Sequence, residues 1–216
     1  MPGADDIAGG GAAAPPEPSL VLFDLGGVVC RFVPEVRLRL LASACGRTPA
    51  EVHERLWGSG FSRRCDRGEF RGAEMHERGC ALLGWAAGYD EFRRAWASAF
   101  EPDPDVLALV DAVRRHHATG LLTDNPFVIL DSLRHELREV GQRFDFLGFS
   151  CGLGSVKPAS AVFRAALARA RRRPHEVLFI DDVRENVEAA AELGCAAICF
   201  TSARDLEAAL VRLRVA

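Results

Sequence analysis

The sequence predicts an α/β fold: a Rossmann-like parallel sheet with helices on both faces, and a small helical cap inserted after the first strand. Three observations carry that expectation. Apolar runs end abruptly in a polar residue: Leu20-Val21-Leu22-Phe23 in Asp24, Leu121-Leu122 in Thr123, and Val177-Leu178-Phe179-Ile180 in Asp181. Such runs suit strands buried on both faces of a parallel sheet. From about residue 104 they alternate with stretches of helical spacing, the pattern of βαβ units. Between 34 and 100, by contrast, only helical spacings occur.

Taken in order, residues 1–18 are rich in Gly, Ala and Pro and contain no Lys or Arg. Without a basic start or an apolar stretch this is no signal peptide, and it reads as a disordered tail. The core comprises 19–33 and 101–216, opening with the strand at 20–23. The cap, 34–100, carries apolar spacings at Val36, Leu40 and Leu41, at Val52 and Leu56, and at Phe92 and Trp96. Placed above the end of the first strand, it would exclude water and supply specificity contacts. Val106, Leu109, Val110 and Val113 give a helix over 105–117, with Asp103 and Pro104 at its start. A strand at 121–123, a helix over 127–140 and an apolar run at 144–150 follow. Pro158 opens a helix with Val162, Phe163, Ala166 and Leu167 inward. The chain then reads strand 177–180, helix 185–193, strand 196–200 and helix 205–213.

With 216 residues, one core with room for an insertion is expected. Hydrophobic residues at 49% and charged residues at 26% are ordinary for a soluble domain. A net charge of −3 offers nucleic acid or an anionic membrane no electrostatic attraction, and no run is long enough to span a bilayer. The seven cysteines include no CxxC pair, so they read as free thiols in a reducing cytoplasm. Cys195 and Cys199 fit alternation in a buried strand better than a ligand pair. Monomer and homodimer both remain open.

Open α/β sheets bind ligands at the carboxyl ends of their strands. Asp24, Thr123, Asp181 and Asp182 should therefore share one rim. Asp24 can be a nucleophile, a metal ligand or a turn former, and Gly26 and Gly27 let the backbone approach a ligand closely. Lys157, the only lysine in a chain that otherwise uses Arg, precedes a helix within Gly154-Ser155-Val156-Lys157-Pro158. A compact ammonium beside free N–H groups suits a phosphate or an aspartyl-phosphate. The adjacent carboxylates Asp181 and Asp182 are costly unless a cation sits between them and Asp24, and Mg²⁺ fits that role; a helix N-cap is the other reading. Thr123 alone carries no weight.

In combination these segments resemble the haloacid dehalogenase (HAD) superfamily of aspartyl-phosphate hydrolases, whose four motifs occur here in order over about residues 20–200. Phe23-Asp24-Leu25-Gly26-Gly27-Val28-Val29, with Cys65–Phe70 and Phe92–Trp96 of the cap, is similar to the branch that includes bacterial α-D-glucose-1-phosphate phosphatase. The resemblance implies a phosphatase of small phosphorylated metabolites, sugar phosphates among them. Asp24 attacks phosphorus, Lys157 steadies the charge, and Thr123 and Asp124 line the substrate. Asp24, the Gly26 carbonyl and Asp182 would hold Mg²⁺, with Asp181 adjacent.

Two positions depart from the family pattern. Gly26 stands where most members place a second Asp as general acid, and Asp124 where Asn is usual. The loss at Gly26 favours a leaving group needing little protonation, or a donor from the cap such as His53, His76 or Glu69. It also keeps open a catalytically impaired binding or regulatory protein. A haloacid dehalogenase is disfavoured, because a metal-binding acidic pair has no use there.

Overall fold

The computed structural model describes residues 17–215; the expected tail lies, except for its last two residues, outside them. Five parallel strands form the central sheet: β1 (Leu20–Phe23), β4 (Ala118–Thr123), β5 (Phe146–Phe149), β6 (Val177–Asp181) and β7 (Ala196–Cys199), in the spatial order β5-β4-β1-β6-β7. β1 is apolar and buried on both faces, so it takes the centre, paired with β4 on one side and β6 on the other. The pleat sends Val21 and Phe23 into one apolar cluster, and Leu20 and Leu22 into another. Phe23 pairs with Leu121 and with Ile180, which brings the polar residues that end all three strands to one edge.

On the Leu20/Leu22 face, α10 (Ser160–Ala170) contributes Val162, Phe163, Ala166 and Leu167, while α11 (Arg184–Glu192) contributes Ala190. On the other face lie α6 (Pro104–Val113), α7 (Phe127–Ser132), α8 (Arg138–Gly141) and the closing α12 (Ala203–Arg212). That cluster continues without a break into the helical insertion through Leu41, Leu56, Met75, Phe92 and Trp96.

The insertion begins and ends on a two-stranded antiparallel ribbon, β2 (Cys30–Phe32) with β3 (Phe100–Pro102). Between them run α1 (Pro34–Cys45), α2 (Pro49–His53), a single π turn at Glu54–Gly58, α3 (Phe61–Asp66), α4 (Gly72–Leu83) and α5 (Tyr89–Ala97). Thr48 and Glu51 form a capping box that starts α2. The loop after α3 docks on the short α9 (Ser150–Leu153): the Ser150 hydroxyl donates to the Asp66 carbonyl (2.6 Å). Gly68, at φ +79°, lies so close that a Cβ would stand 2.0 Å from the Cys151 carbonyl oxygen. α5 is tied to the core by Arg93, which donates to both oxygens of Glu136 (2.9 and 3.1 Å).

Three local expectations need correction. The 127–140 helix is two short helices, because the Ser132 hydroxyl turns back onto the Val128 carbonyl and the Ser132 carbonyl collects the N–H groups of His135 and Leu137. The inner face of α1 is rotated from the expected one: Arg37 and Leu41 are buried, while Leu40 is 48% exposed. β7 is an edge strand paired only with β6 and is mostly half-buried, so Cys199 stands in an edge strand and not in a buried one. Among the described residues, all seven cysteines are free and no helix is long and apolar enough to cross a membrane.

Candidate active site

The sheet's carboxyl edge carries a buried ammonium between two carboxylates. Lys157 Nζ stands 2.6 Å from Asp181 Oδ2 and 3.0 Å from Asp24 Oδ1, and donates also to the Leu122 carbonyl (3.2 Å). The Leu25 N–H donates to the same Asp24 oxygen (2.8 Å). Asp181 is fully engaged, its other oxygen accepting from the Val183 N–H (2.9 Å) and Asn186 Nδ2 (3.0 Å). Burial pushes the Asp24 carboxyl up, against the opposing pull of Lys157 and the Thr123 hydroxyl. For Lys157, burial favours the neutral amine, but Asp24 and Asp181 outweigh it and hold the group above its ordinary value.

Asp182 is exposed, beside the tight turn after β1. Gly27 there has φ +92°, a backbone conformation that strains any other residue, and a Cβ on it would fall 2.2 Å from Asp182 Oδ2 and displace that carboxylate. Asp24, Asp181 and Asp182 each offer an oxygen within 4.8 Å of the others. Three carboxylates with one ammonium leave two net negative charges, which suits a divalent cation.

Asp124 borders the same cavity as Asp24 but is not one of the three clustered carboxylates. Both of its oxygens accept the Lys157 backbone N–H (3.0 and 3.1 Å), so a carboxylate in this place fastens the lysine loop to the sheet. Burial raises it to about 6, against the pull of Lys157. Thr123 accepts from Asn125 Nδ2 (2.8 Å), and the Asn125 N–H donates to Ser150 Oγ (3.0 Å). That chain continues through Ser150 to the Asp66 carbonyl, linking the strand end to the insertion.

Gly26 carries no acid, and two aromatic side chains stand close to it. A Cβ there would meet Phe100 Cε1 at 3.1 Å and Phe32 Cβ at 3.5 Å. Of the three candidate cap donors, Glu69 pairs with exposed Arg64 (2.7 Å), and His76 bonds the Ala87 carbonyl and packs edge-on to Tyr89 and Phe92. His53 lines a neighbouring cavity.

Asp24, Gly26, Thr123, Asp124 and Lys157 all border one cavity of about 230 Å³, with Asp181 buried beneath and Asp182 outside its lining. Phe32, Asn125, Val183 and Asn186, which the sequence reading did not place in the site, border it too. Asn125 and Asn186 follow predicted strand ends by a few residues, so their positions held a usable signal. Phe32 held none, since its place depends on the ribbon.

Fold and site define an α/β protein with an acidic, lysine-anchored pocket at the carboxyl edge of its sheet. Residues 18–194 match the haloacid dehalogenase-like hydrolases, and the chain belongs to that family. Bifunctional epoxide hydrolase 2 of Mus musculus is 37% identical over 110 residues, 50% of this chain but only 20% of that much longer protein. The chain thus spans about a fifth of the length of the first relatives it matches. D-ribitol-5-phosphate phosphatase of Bacteroides thetaiotaomicron is 26% identical over 81% of this chain and 87% of its own length. Among solved structures, a predicted HAD-like family hydrolase of Porphyromonas gingivalis superposes with a TM-score of 0.76 at 25% identity, covering 92% of this chain and 98% of that one. A HAD family enzyme of B. thetaiotaomicron, in complex with magnesium and inorganic phosphate, shares the fold with a TM-score of 0.71 at 22% identity, over 85% and 94% of the two chains.

Proposed function

We propose that this hydrolase is a Mg²⁺-dependent phosphatase of small phosphorylated metabolites, working through an aspartyl-phosphate on Asp24. The observation that carries the reading is the pairing of Asp24 with buried Lys157 within a cluster of three carboxylates and one ammonium that is left with two net negative charges. The relatives lend weight: one acts on D-ribitol-5-phosphate, and another, 27% identical over 192 residues, is phosphoglycolate phosphatase 1 of Pseudomonas aeruginosa.

Asp24, Asp182 and, more weakly, the engaged Asp181 would hold the ion, with the Gly26 carbonyl as a further oxygen. The ion's contribution is charge neutralisation around the phosphoryl group. Lys157 pulls Asp24 toward its ionised form, against burial, and aims it. The Asp24 carboxylate attacks phosphorus, the bond to the leaving oxygen breaks, and Lys157 and the Thr123 hydroxyl face the phosphoryl oxygens. Water then attacks the same phosphorus, releasing orthophosphate and regenerating the carboxylate. With glycine at position 26, the leaving oxygen lacks the proton donor most relatives place there, and esters of acidic leaving groups react fastest. Asp124 fastens the lysine loop, and residues 34–100 act as the cap. Seven free cysteines support a reducing, cytoplasmic setting.

The same lack of a donor at Gly26 favours a second reading, a phosphate-ester-binding protein without turnover. The test is phosphate release from a panel of sugar, polyol and acyl phosphates, with Mg²⁺ and with EDTA, by wild type and Asp24→Asn. Turnover that needs the metal and falls about a thousandfold or more in the variant is expected. Binding without turnover in the folded wild type selects the second reading.

A further inference from the structure

Arg37 stands on α1, a few residues past the ribbon, and its side chain is buried (5% exposed). Nε and Nη2 are both buried without a hydrogen-bond partner, and among the described residues no carboxylate lies within 4.0 Å of the guanidinium. Its Cζ lies 5.2–6.0 Å from the ring centres of Trp96, Phe100, Phe32 and Trp57. Contacts of that kind attract the cation to the ring faces. They return less than a buried charge loses when it leaves water unpaired, so the aromatic box alone does not account for it. Asp66 acts on it only from a distance, and burial lowers Arg37 to about 9, which leaves it charged at neutral pH.

The surroundings give that charge a purpose. Arg37, His53 and Trp57 line a cavity of about 300 Å³, with Glu35 exposed along its wall and not paired to Arg37. Phe32, a 47% exposed aromatic, belongs to the wall of this cavity and also to that of the cavity over Asp24. Phe32 and Phe100, which box Arg37, are the rings that crowd Gly26. The unpaired guanidinium is therefore separated from the nucleophile's pocket by one aromatic layer.

We propose that Arg37 is a specificity determinant: it pairs with a second anionic group, a carboxylate, on a substrate whose phosphate lies at Asp24 and Lys157 and whose carbon chain passes over Phe32. The planar fork of Arg suits a carboxylate bidentately; Nε and Nη2 are closed to solvent in the free protein, so pairing requires the surrounding side chains to shift and then satisfies both N–H groups. The proposal rests on the phosphatase reading and narrows its substrates to phosphorylated acids.

The test uses phosphomonoester pairs of increasing length that differ only in the carboxylate: phosphoglycolate with ethyl phosphate, 3-phosphoglycerate with glycerol 3-phosphate, and four-carbon homologues. kcat/KM is measured for wild type, Arg37→Lys and Arg37→Met. Wild type should prefer the acid in at least one pair by about 30-fold or more, the scale of a charge-assisted hydrogen bond. The ratio should fall close to one in Arg37→Met and lie between in Arg37→Lys, which also serves if the Met variant fails to fold. Calorimetric binding of 3-phosphonopropionate against propylphosphonate gives a readout independent of turnover. Arg37-dependent preference for the phosphonocarboxylate without hydrolysis would keep this proposal and overturn the phosphatase reading. Hydrolysis with equal rates on acid and neutral partners, or a preference that survives in both Arg37 variants, would overturn the proposal alone.

Discussion

Lys157 in the core and Arg37 in the insertion are both buried cations, and the molecule keeps them on opposite terms. Lys157 is held by two carboxylates and a carbonyl within 3.2 Å. Arg37 has four aromatic rings around it and two buried N–H groups without partners. A cation whose charge is answered inside the protein is already in working position before any ligand arrives. One left unanswered beside a cavity makes the free protein less stable than it could be, and gains most from an incoming anion. On the proposed function, the core edge serves the chemistry every substrate shares, and the insertion whatever distinguishes one substrate from another.

That contrast breaks if the two cations respond alike to removal. Lys157→Met strands Asp24 and Asp181 and should cost about 3–5 kcal/mol in urea unfolding, whereas Arg37→Met removes an unpaired charge and should be neutral or stabilising. Equal losses would contradict it. A smaller effect sharpens the core side. Gly27→Ala forces a Cβ against Asp182 at a positive φ, so it should cost about 1–3 kcal/mol and weaken Mg²⁺ binding about 10–100-fold by calorimetry. Unchanged Mg²⁺ affinity would remove Asp182 from the metal site.

The smallest effect is a pH signature beside Arg37. Burial, with Asp124 adding to it and Arg37 opposing, raises Asp66 from 3.8 to about 7. A raised carboxyl holds its proton in the folded protein, so its contribution to stability is present below about pH 4 and lost as pH rises through 7. Asp66→Asn cannot ionise, and its stability relative to wild type should grow by about 1–2 kcal/mol between pH 5 and 8, the full shift being discounted for partial exposure. In an Arg37→Met background the step should move to higher pH. A difference in Tm that does not change with pH would contradict this account of Asp66.

The core was legible because its strands are uninterrupted apolar runs ending in the residues that form the site: Asp24, Thr123 and Asp181 declared both the sheet and its working edge. Lys157 was legible as the single lysine of an arginine-rich chain. The role of Asp124 was not, since its partner is the backbone of a loop 33 residues away. The ribbon was hidden because each strand has three residues and buries only its first, so neither shows alternation or an apolar run. Arg37 was hidden for a related reason. Helical spacing puts Val36, Leu40 and Leu41 inward, and only the packing of aromatic side chains from the ribbon, the π turn and α5 turns a charged position to the inside.

The central claim, that Asp24 is the phosphoryl acceptor beside a bound divalent ion, is tested most directly without any substrate. Beryllofluoride mimics a phosphoryl group on a carboxylate, and ¹⁹F NMR resolves its bound form. Wild type with Mg²⁺ should give bound resonances that vanish on adding EDTA and are absent in Asp24→Asn. Bound resonances that persist in Asp24→Asn, or none in folded wild type saturated with Mg²⁺, would contradict it.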